Sequence, residues 1–497
     1  MLIWFVVLYL LFSVGVGVYA ARRVHTSRDF VVAGRNLPLP VVTATVFATW
    51  FGAETVLGIS ATFVQEGLGG VVADPFGASL CLILAGLFFA PLLYRMNLLT
   101  IGDYYRARYN RTVELIMSVC IMLSYLGWVS AQVVALGLVF NVVSNGVVTP
   151  QAGMVIGIAV VLAYTLIGGM WSVALLDFVQ MTIIMTALLL IAVLIGEQAG
   201  GAGNVVMQAQ AAGKLQLFPQ GGGMEAWIPF VGAAVTMMLG SIPQQDVFQR
   251  VQSAKTERIA VWGSVLGGCL YFMFAFVPMF LAYSATLIDP KMVQGLIDQD
   301  PQMILPRLVI DHAPLIAQVM FFGALLSAIK SCASATLLAP SVTFTENILK
   351  PMLGPLTDHR LLTAMRTVTL TFTVLVTLYA IDSKASIFQM VANAYQITLV
   401  MAFVPLAFGV YWQRATKQGA LLSIFAGLMT WLGILLAGPD DPFIPAQFAG
   451  LLASLTGMIL GSLLPQWVAH EIPERDLHAA MHRRSAAQAG HVPHRIY

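Results

Sequence analysis

Charge is what this sequence has least of. Only 10% of its 497 residues are Asp, Glu, Lys or Arg, against about 25% in an ordinary soluble domain. With 59% hydrophobic residues and a mean hydropathy of +0.84, it lacks the polar side chains that would cover a water-facing surface. Basic excess is missing too: 25 Lys and Arg stand against 23 Asp and Glu, a net charge of +2. Nothing is available to neutralise a run of phosphates, which excludes nucleic-acid binding. Cysteine is scarce and scattered. Cys81, Cys120, Cys269 and Cys332 all lie inside apolar stretches, without zinc-site spacing or the loop position of an extracellular disulfide. No nucleotide-binding motif occurs, and no apolar stretch pairs a nucleophile with a base, so neither an ATP-driven pump nor an enzyme is indicated.

What is abundant is long apolar runs. A bilayer core of about 30 Å needs roughly 20 apolar residues per helix. That length fits thirteen times, at 2–21, 39–63, 70–94, 112–141, 151–170, 173–196, 226–248, 259–285, 314–341, 361–381, 386–411, 418–437 and 446–467, called spans 1 to 13. The expected class is an all-α, multi-pass protein of the cell (inner) membrane, a single transmembrane domain over 1–467 followed by a polar tail at 468–497. Residues 1–21 have no positive charge before the apolar run, while Arg22 and Arg23 follow it. This suits a retained first helix with its N-terminus outside. That orientation puts twenty of the 25 Lys and Arg on the cytoplasmic side and four outside, the asymmetry that orients membrane proteins. The tail is then cytoplasmic. Its His478 and His482 have metal-ligand spacing, but a solvated tail is the plainer reading. The remaining basic residue, Lys330, falls inside span 9.

Two spans are interrupted near their middles. Span 2 carries Thr49, Trp50, Phe51, Gly52 and Glu54 at its centre, and span 7 is broken at Gly240, Ser241 and Pro243. Proline cannot donate to the carbonyl four residues back and clashes with it. Five spans separate the two breaks, as two five-span repeats would require (about 39–196 and 226–411). Carriers bind their solutes where such breaks free backbone groups. A packing glycine or a simple kink is the plain alternative at each break. Polar residues within spans are costly and must face protein or water. Glu54, Gln132 near Trp128, and Asp177 stand out, with Ser327, Lys330, Ser331 and Ser334 in span 9. At the cytoplasmic end of span 7, Gln244, Gln245 and Asp246 follow the break, Asp246 reading as a solvated helix end. Glu54, mid-span, is a candidate for contacting the solute or positioning the helix.

These residues carry a resemblance. AYTLIGGMWSVALLDFVQ (163–180), GSIPQQDVFQRVQSA (240–254) and AIKSCASATLLAPSVTFTENI in span 9 resemble the signatures of the sodium:solute symporter family. The motifs are most similar to its choline-transporter branch. The resemblance implies two inverted five-helix repeats of the LeuT type, with one helix before and two after. It also implies import of a small organic solute by alternating access, driven by sodium. One Na+ is implied between the span 2 break and span 9, held by the carbonyls of Ala48, Phe51 and Ala328, the Ser331 hydroxyl and position 332, with Asp177 just below. Two residues depart from the family pattern. Cys332 replaces a hydroxyl, and a thiol is a poor sodium ligand. Lys330 replaces an apolar residue about 15 Å from the helix end, beyond the roughly 6 Å that a lysine snorkels. Lys330 is therefore expected beside the ion site, paired with Asp177 and modulating or replacing sodium. A proton-coupled or uncoupled carrier is the resulting alternative. A transporter-like sensor acting with a separate signalling partner is a second. In the choline branch an aromatic cage holds the solute; here Trp50 and Trp128 match it, while Ala78, Gln244 and Met390 stand where further rings are usual. The solute is expected to be an amine, an amino acid or an organic acid, with Trp50, Glu54, Trp128, Gln132 and Gln244 contacting it.

Overall fold

The computed structural model describes residues 2–468 except 222, 355, 440 and 441. The tail from 469 onward, with His478 and His482, lies outside the described residues. Among the described residues ten helices are long and apolar enough to cross a membrane, or twelve when each of two bent pairs is one span. One of them, Pro150–Gln198, has 49 residues, about 73 Å of helix and far more than a bilayer core of about 30 Å. It is interrupted at Gly169 (φ 47, ψ −137). Only glycine fits there, because a Cβ would come within 2.5 Å of the Phe30 carbonyl oxygen. Its two arms, before and after Gly169, correspond to the stretches expected as spans 5 and 6.

Both expected breaks are present. Span 2 divides into Leu39–Trp50 and Glu54–Glu66, bent by 54°, and span 7 into Met224–Gly240 and Gln245–Ser253, bent by 45°. Span 3 (Leu68–Arg95), expected to be regular, is interrupted: Asp74, just before Pro75, has extended backbone (φ −145, ψ 119). The 286–313 connection holds two short helices, Pro290–Ile297 and Ile304–His312.

The second half of span 7 is buried along its whole length, Gln245 to Ser253. Buried amides need partners, and connecting segments supply them. The Gln245 side-chain oxygen accepts the Ile101 N–H (2.8 Å), Gln249 donates to the Val31 carbonyl (3.1 Å), and Gln252 donates to the Leu93 carbonyl (2.7 Å). Leu37 and Ala254 form a short parallel bridge beside them. This end of the bundle, where most basic residues gather, is therefore sealed. Asp246 and Arg250 belong to the seal, with 0% and 2% exposure. Asp246 is not the solvated helix end that its position suggested.

Candidate functional site

Helix geometry breaks at Phe51 (φ −85, ψ 71), and the freed backbone organises the site. A Cβ on Gly52 would lie 2.5 Å from Glu54 Oε2 and 2.9 Å from Cys332 Sγ, so the glycine lets the Glu54 carboxylate and span 9 close onto the break. The Ala53 N–H donates to Gln132 Oε1 (3.0 Å) and Gln132 Nε2 donates to Glu54 Oε2 (2.7 Å). Trp128 Nε1 donates to Glu54 Oε1 (3.1 Å). Trp128 and Gln132 sit at i, i+4 on one face of span 4, so a single helix face reads the carboxylate with two donors. Glu54 is thereby a fixed, fully used acceptor joining spans 2 and 4. Cys332 points its thiol at the same carboxylate (3.8 Å).

Span 7 is opened in the same way. A Cβ on Gly240 would lie 2.6 Å from the Tyr395 carbonyl oxygen, so the glycine lets span 11 touch the break. The Gly240 carbonyl accepts the Thr398 hydroxyl (2.7 Å). Gln244, following Pro243, donates to Ser124 (2.9 Å) and Thr398 (3.4 Å). Its amide ties spans 4, 7 and 11 together.

Around these breaks four aromatic rings are in contact. Trp50 meets Trp128 edge-on with centroids 5.5 Å apart and stacks on Tyr395 at 5.9 Å. Trp128 meets Tyr395 at 5.4 Å and stacks on Tyr125 at 5.9 Å. Trp50 and Trp128 were expected here; Tyr125 and Tyr395 were not. Span 11 contributes its ring through Tyr395, five residues beyond the methionine taken to replace it. Tyr125 was discoverable, one turn before Trp128 on the same helix face. So was the polar cluster of Asn393, Tyr395, Gln396 and Thr398 in an otherwise apolar span.

Four carboxylates in this region are fully or almost fully buried: Glu54, Asp74, Asp177 and Asp246. None forms an ion pair among the described residues. Asp74 accepts the Tyr271 hydroxyl, which lies 3.0 Å from the Thr55 hydroxyl, and Thr55 donates to the Trp50 carbonyl (3.2 Å). Asp177 accepts the hydroxyls of Thr45 and Ser331, the latter at 2.5 Å. Arg250 donates to the Thr49 hydroxyl (2.8 Å) and the Asp246 backbone carbonyl (3.0 Å), and so lies between the two regions.

Of the expected ion ligands, Ala48 and Phe51 lie where span 2 breaks, while Ser331 lies in span 9. Neither the Ala48 nor the Phe51 carbonyl accepts a backbone N–H among the described residues, and Thr45, one turn before Ala48, donates to Asp177. Ala328 lies in the continuous helix Leu315–Thr343, one turn before Cys332.

Lys330 departs from expectation. Its ammonium donates to Ser13 Oγ (2.5 Å) and lies 3.9 Å from the centre of the Tyr9 ring, both in span 1. No ion pair links it to Asp177 among the described residues. Adjacent helix residues point about 100° apart, so Ser331 faces the carboxylate while Lys330 faces the N-terminal helix. Ser327, one turn earlier, bonds Tyr9 on that same face. The lysine anchors span 1 to span 9. Lys330→Met is accordingly expected to leave the sodium titration of uptake and its pH profile in place. Its melting temperature should be unchanged or higher, since apolar replacement of a buried charge is commonly neutral or stabilising by about 1–4 kcal/mol. A large rise in the sodium requirement would overturn this assignment.

Comparison with known proteins agrees with the fold. Residues 30–427 match the profile of the sodium:solute symporter family. The chain is 25% identical over 457 residues to High-affinity choline transporter 1 of Caenorhabditis elegans, covering 87% of this chain and 77% of that one. It is 25% identical over 476 residues to the Sodium/pantothenate symporter of Escherichia coli, covering 93% and 96%. Among solved structures, a Na+-coupled sialic acid symporter in a substrate-bound outward-open state superposes with a TM-score of 0.80 at 18% identity, over 93% of this chain and 97% of that one.

Proposed function

This chain belongs to the sodium:solute symporter family, and from that premise we propose that it imports a small organic cation together with sodium. It is a multi-pass membrane protein and a secondary active transporter with sodium as its coupling ion. The cargo assignment rests on one observation: stacked rings of Trp50, Trp128, Tyr125 and Tyr395 lie among four buried carboxylates, none of which forms an ion pair among the described residues and only two of which, Asp177 and Asp246, feel the Arg250 charge. A cation gains about 0.5–2 kcal/mol over an aromatic face, more when desolvated. An organic acid entering the same space meets like charge in a medium of low dielectric. Of amine, amino acid and organic acid, the amine fits.

Glu54, Trp128 and Gln132 hold one side of the cargo site, and Gln244 fixes the span 7 break on the other. The rings touch one another, so the cargo reaches them by separating the two broken spans. Sodium is assigned to the free carbonyls of Ala48 and Phe51, with the Ala328 carbonyl and the Ser331 hydroxyl completing the set and Asp177 supplying charge. Hard cations favour such oxygens; the Cys332 thiol, directed at Glu54, is left out. With the N-terminus outside in the plasma membrane, the sealed end is cytoplasmic. Separation of the outer halves of spans 2 and 7 then admits cargo and sodium, and opening of the seal releases them.

The test is uptake into proteoliposomes under an imposed sodium gradient, with competition by protonated amines, quaternary ammonium ions, zwitterionic amino acids and organic acids. Cations alone should compete, and collapse of the sodium gradient should stop accumulation. Competition by organic acids with none by cations would sink the cargo assignment.

A further inference from the structure

We propose that Asp246 contacts the transported cation directly, so that the cargo is an amine retaining at least one N–H when protonated, not a quaternary ammonium. This rests on the cation reading above and narrows it.

Of the carboxylates beside the aromatic rings, Glu54 has both oxygens engaged, by Trp128 and Gln132. Asp246 is different. Its Oδ1 accepts the Tyr125 hydroxyl (2.5 Å), and its backbone N–H donates to the same hydroxyl oxygen (2.9 Å). Oδ2 is buried and has no hydrogen-bond partner. Arg250, one turn away, gives its donors to the Asp246 backbone carbonyl and to Thr49, while its buried Nε has no partner. The Trp50 indole is close enough to interact with the Asp246 carboxyl without closing a hydrogen bond. The Tyr395 hydroxyl, whose ring stacks on Trp50, is also buried without a partner.

Other buried polar atoms also lack partners, Gln180, Ser241 and Arg250 Nε among them, but Asp246 Oδ2 and the Tyr395 hydroxyl are the two that flank Trp50 in the aromatic cluster. Buried polar atoms normally have partners, and an exception calls for an explanation. A carboxylate oxygen can only accept. What completes it must carry a donor, and in a site built for a cation that donor is an ammonium N–H. A quaternary ammonium presents only methyl groups; it gains the aromatic contact but leaves Oδ2 unmet. Sites built to hydrogen-bond a ligand discriminate strongly against the analogue lacking the donor.

The test compares N,N-dimethylethanolamine, protonated at neutral pH, with choline, which replaces its one N–H by a methyl. Affinities are read from ligand-dependent thermal stabilisation of the purified full chain at saturating sodium. The N–H probe should bind at least about tenfold more tightly, the scale of one hydrogen bond to a charged group. Asp246→Asn should shrink that preference to within about threefold. Tyr395→Phe, which removes only the unpartnered hydroxyl, should narrow it as well and serves if Asp246→Asn does not fold. Equal binding of the two probes to the wild type, or an undiminished preference in a folded Asp246→Asn protein, would overturn the proposal and leave the cation reading standing. Binding of neither probe, alongside stabilisation by an organic acid, would remove the cation reading itself.

Discussion

Glu54→Ala is expected to lower uptake about 100-fold, because two buried donors lose their acceptor at about 1–3 kcal/mol each. Those donors are Trp128 Nε1 and Gln132 Nε2, and Gln132 is also what holds the Ala53 N–H at the break. The change therefore frees one ring of the aromatic cluster and one wall of the span 2 break together. Glu54→Gln separates geometry from charge. The amide keeps one oxygen for one donor, so the protein should fold and retain partial uptake, with the larger loss in cargo affinity. The measurements are initial uptake rates into proteoliposomes against cargo concentration, and melting temperature. A Glu54→Ala protein with wild-type cargo affinity would show that the carboxylate only packs the helix.

The second large effect falls on sodium. Asp177→Asn replaces an acceptor of two hydroxyl donors, Thr45 and Ser331, by a group that must itself donate at one position. One hydroxyl then turns away, and the charge assigned to the sodium site is lost. The sodium concentration for half-maximal uptake should rise about tenfold or more, the scale of one charge-assisted hydrogen bond. At saturating sodium the cargo affinity should stay near that of the wild type. The split distinguishes an ion-site residue from a merely structural one, whose loss would weaken both. Lys330→Met is the control on the neighbouring helix position. If it and Asp177→Asn shift the sodium titration equally, the separation of the two groups argued from geometry is wrong.

The linear chain determined a great deal here, and for a physical reason. Water-free hydrocarbon forces every spanning backbone into a self-satisfied helix, so apolar runs of the right length mark spans. Glycine and proline act on their own backbones, so the breaks at Gly52, Gly240 and Pro243 were visible as local events. Trp128 and Gln132 share a helix face by periodicity alone. The motifs then gave the family.

Packing decided the rest, because it pairs groups far apart in sequence. Tyr395 joins Trp50 and Trp128 only because Gly240 lets span 11 approach span 7. Asp246 looked like a wet helix end by position and became a buried acceptor once the 27–37 and 93–101 segments closed over span 7. Lys330 shows the limit most sharply. Its sequence neighbour Ser331 faces Asp177, and one helical step carries the ammonium to Ser13 and Tyr9. Scarcity of charge made that lysine conspicuous; only the rotation of span 9 against span 1 decided which site it serves.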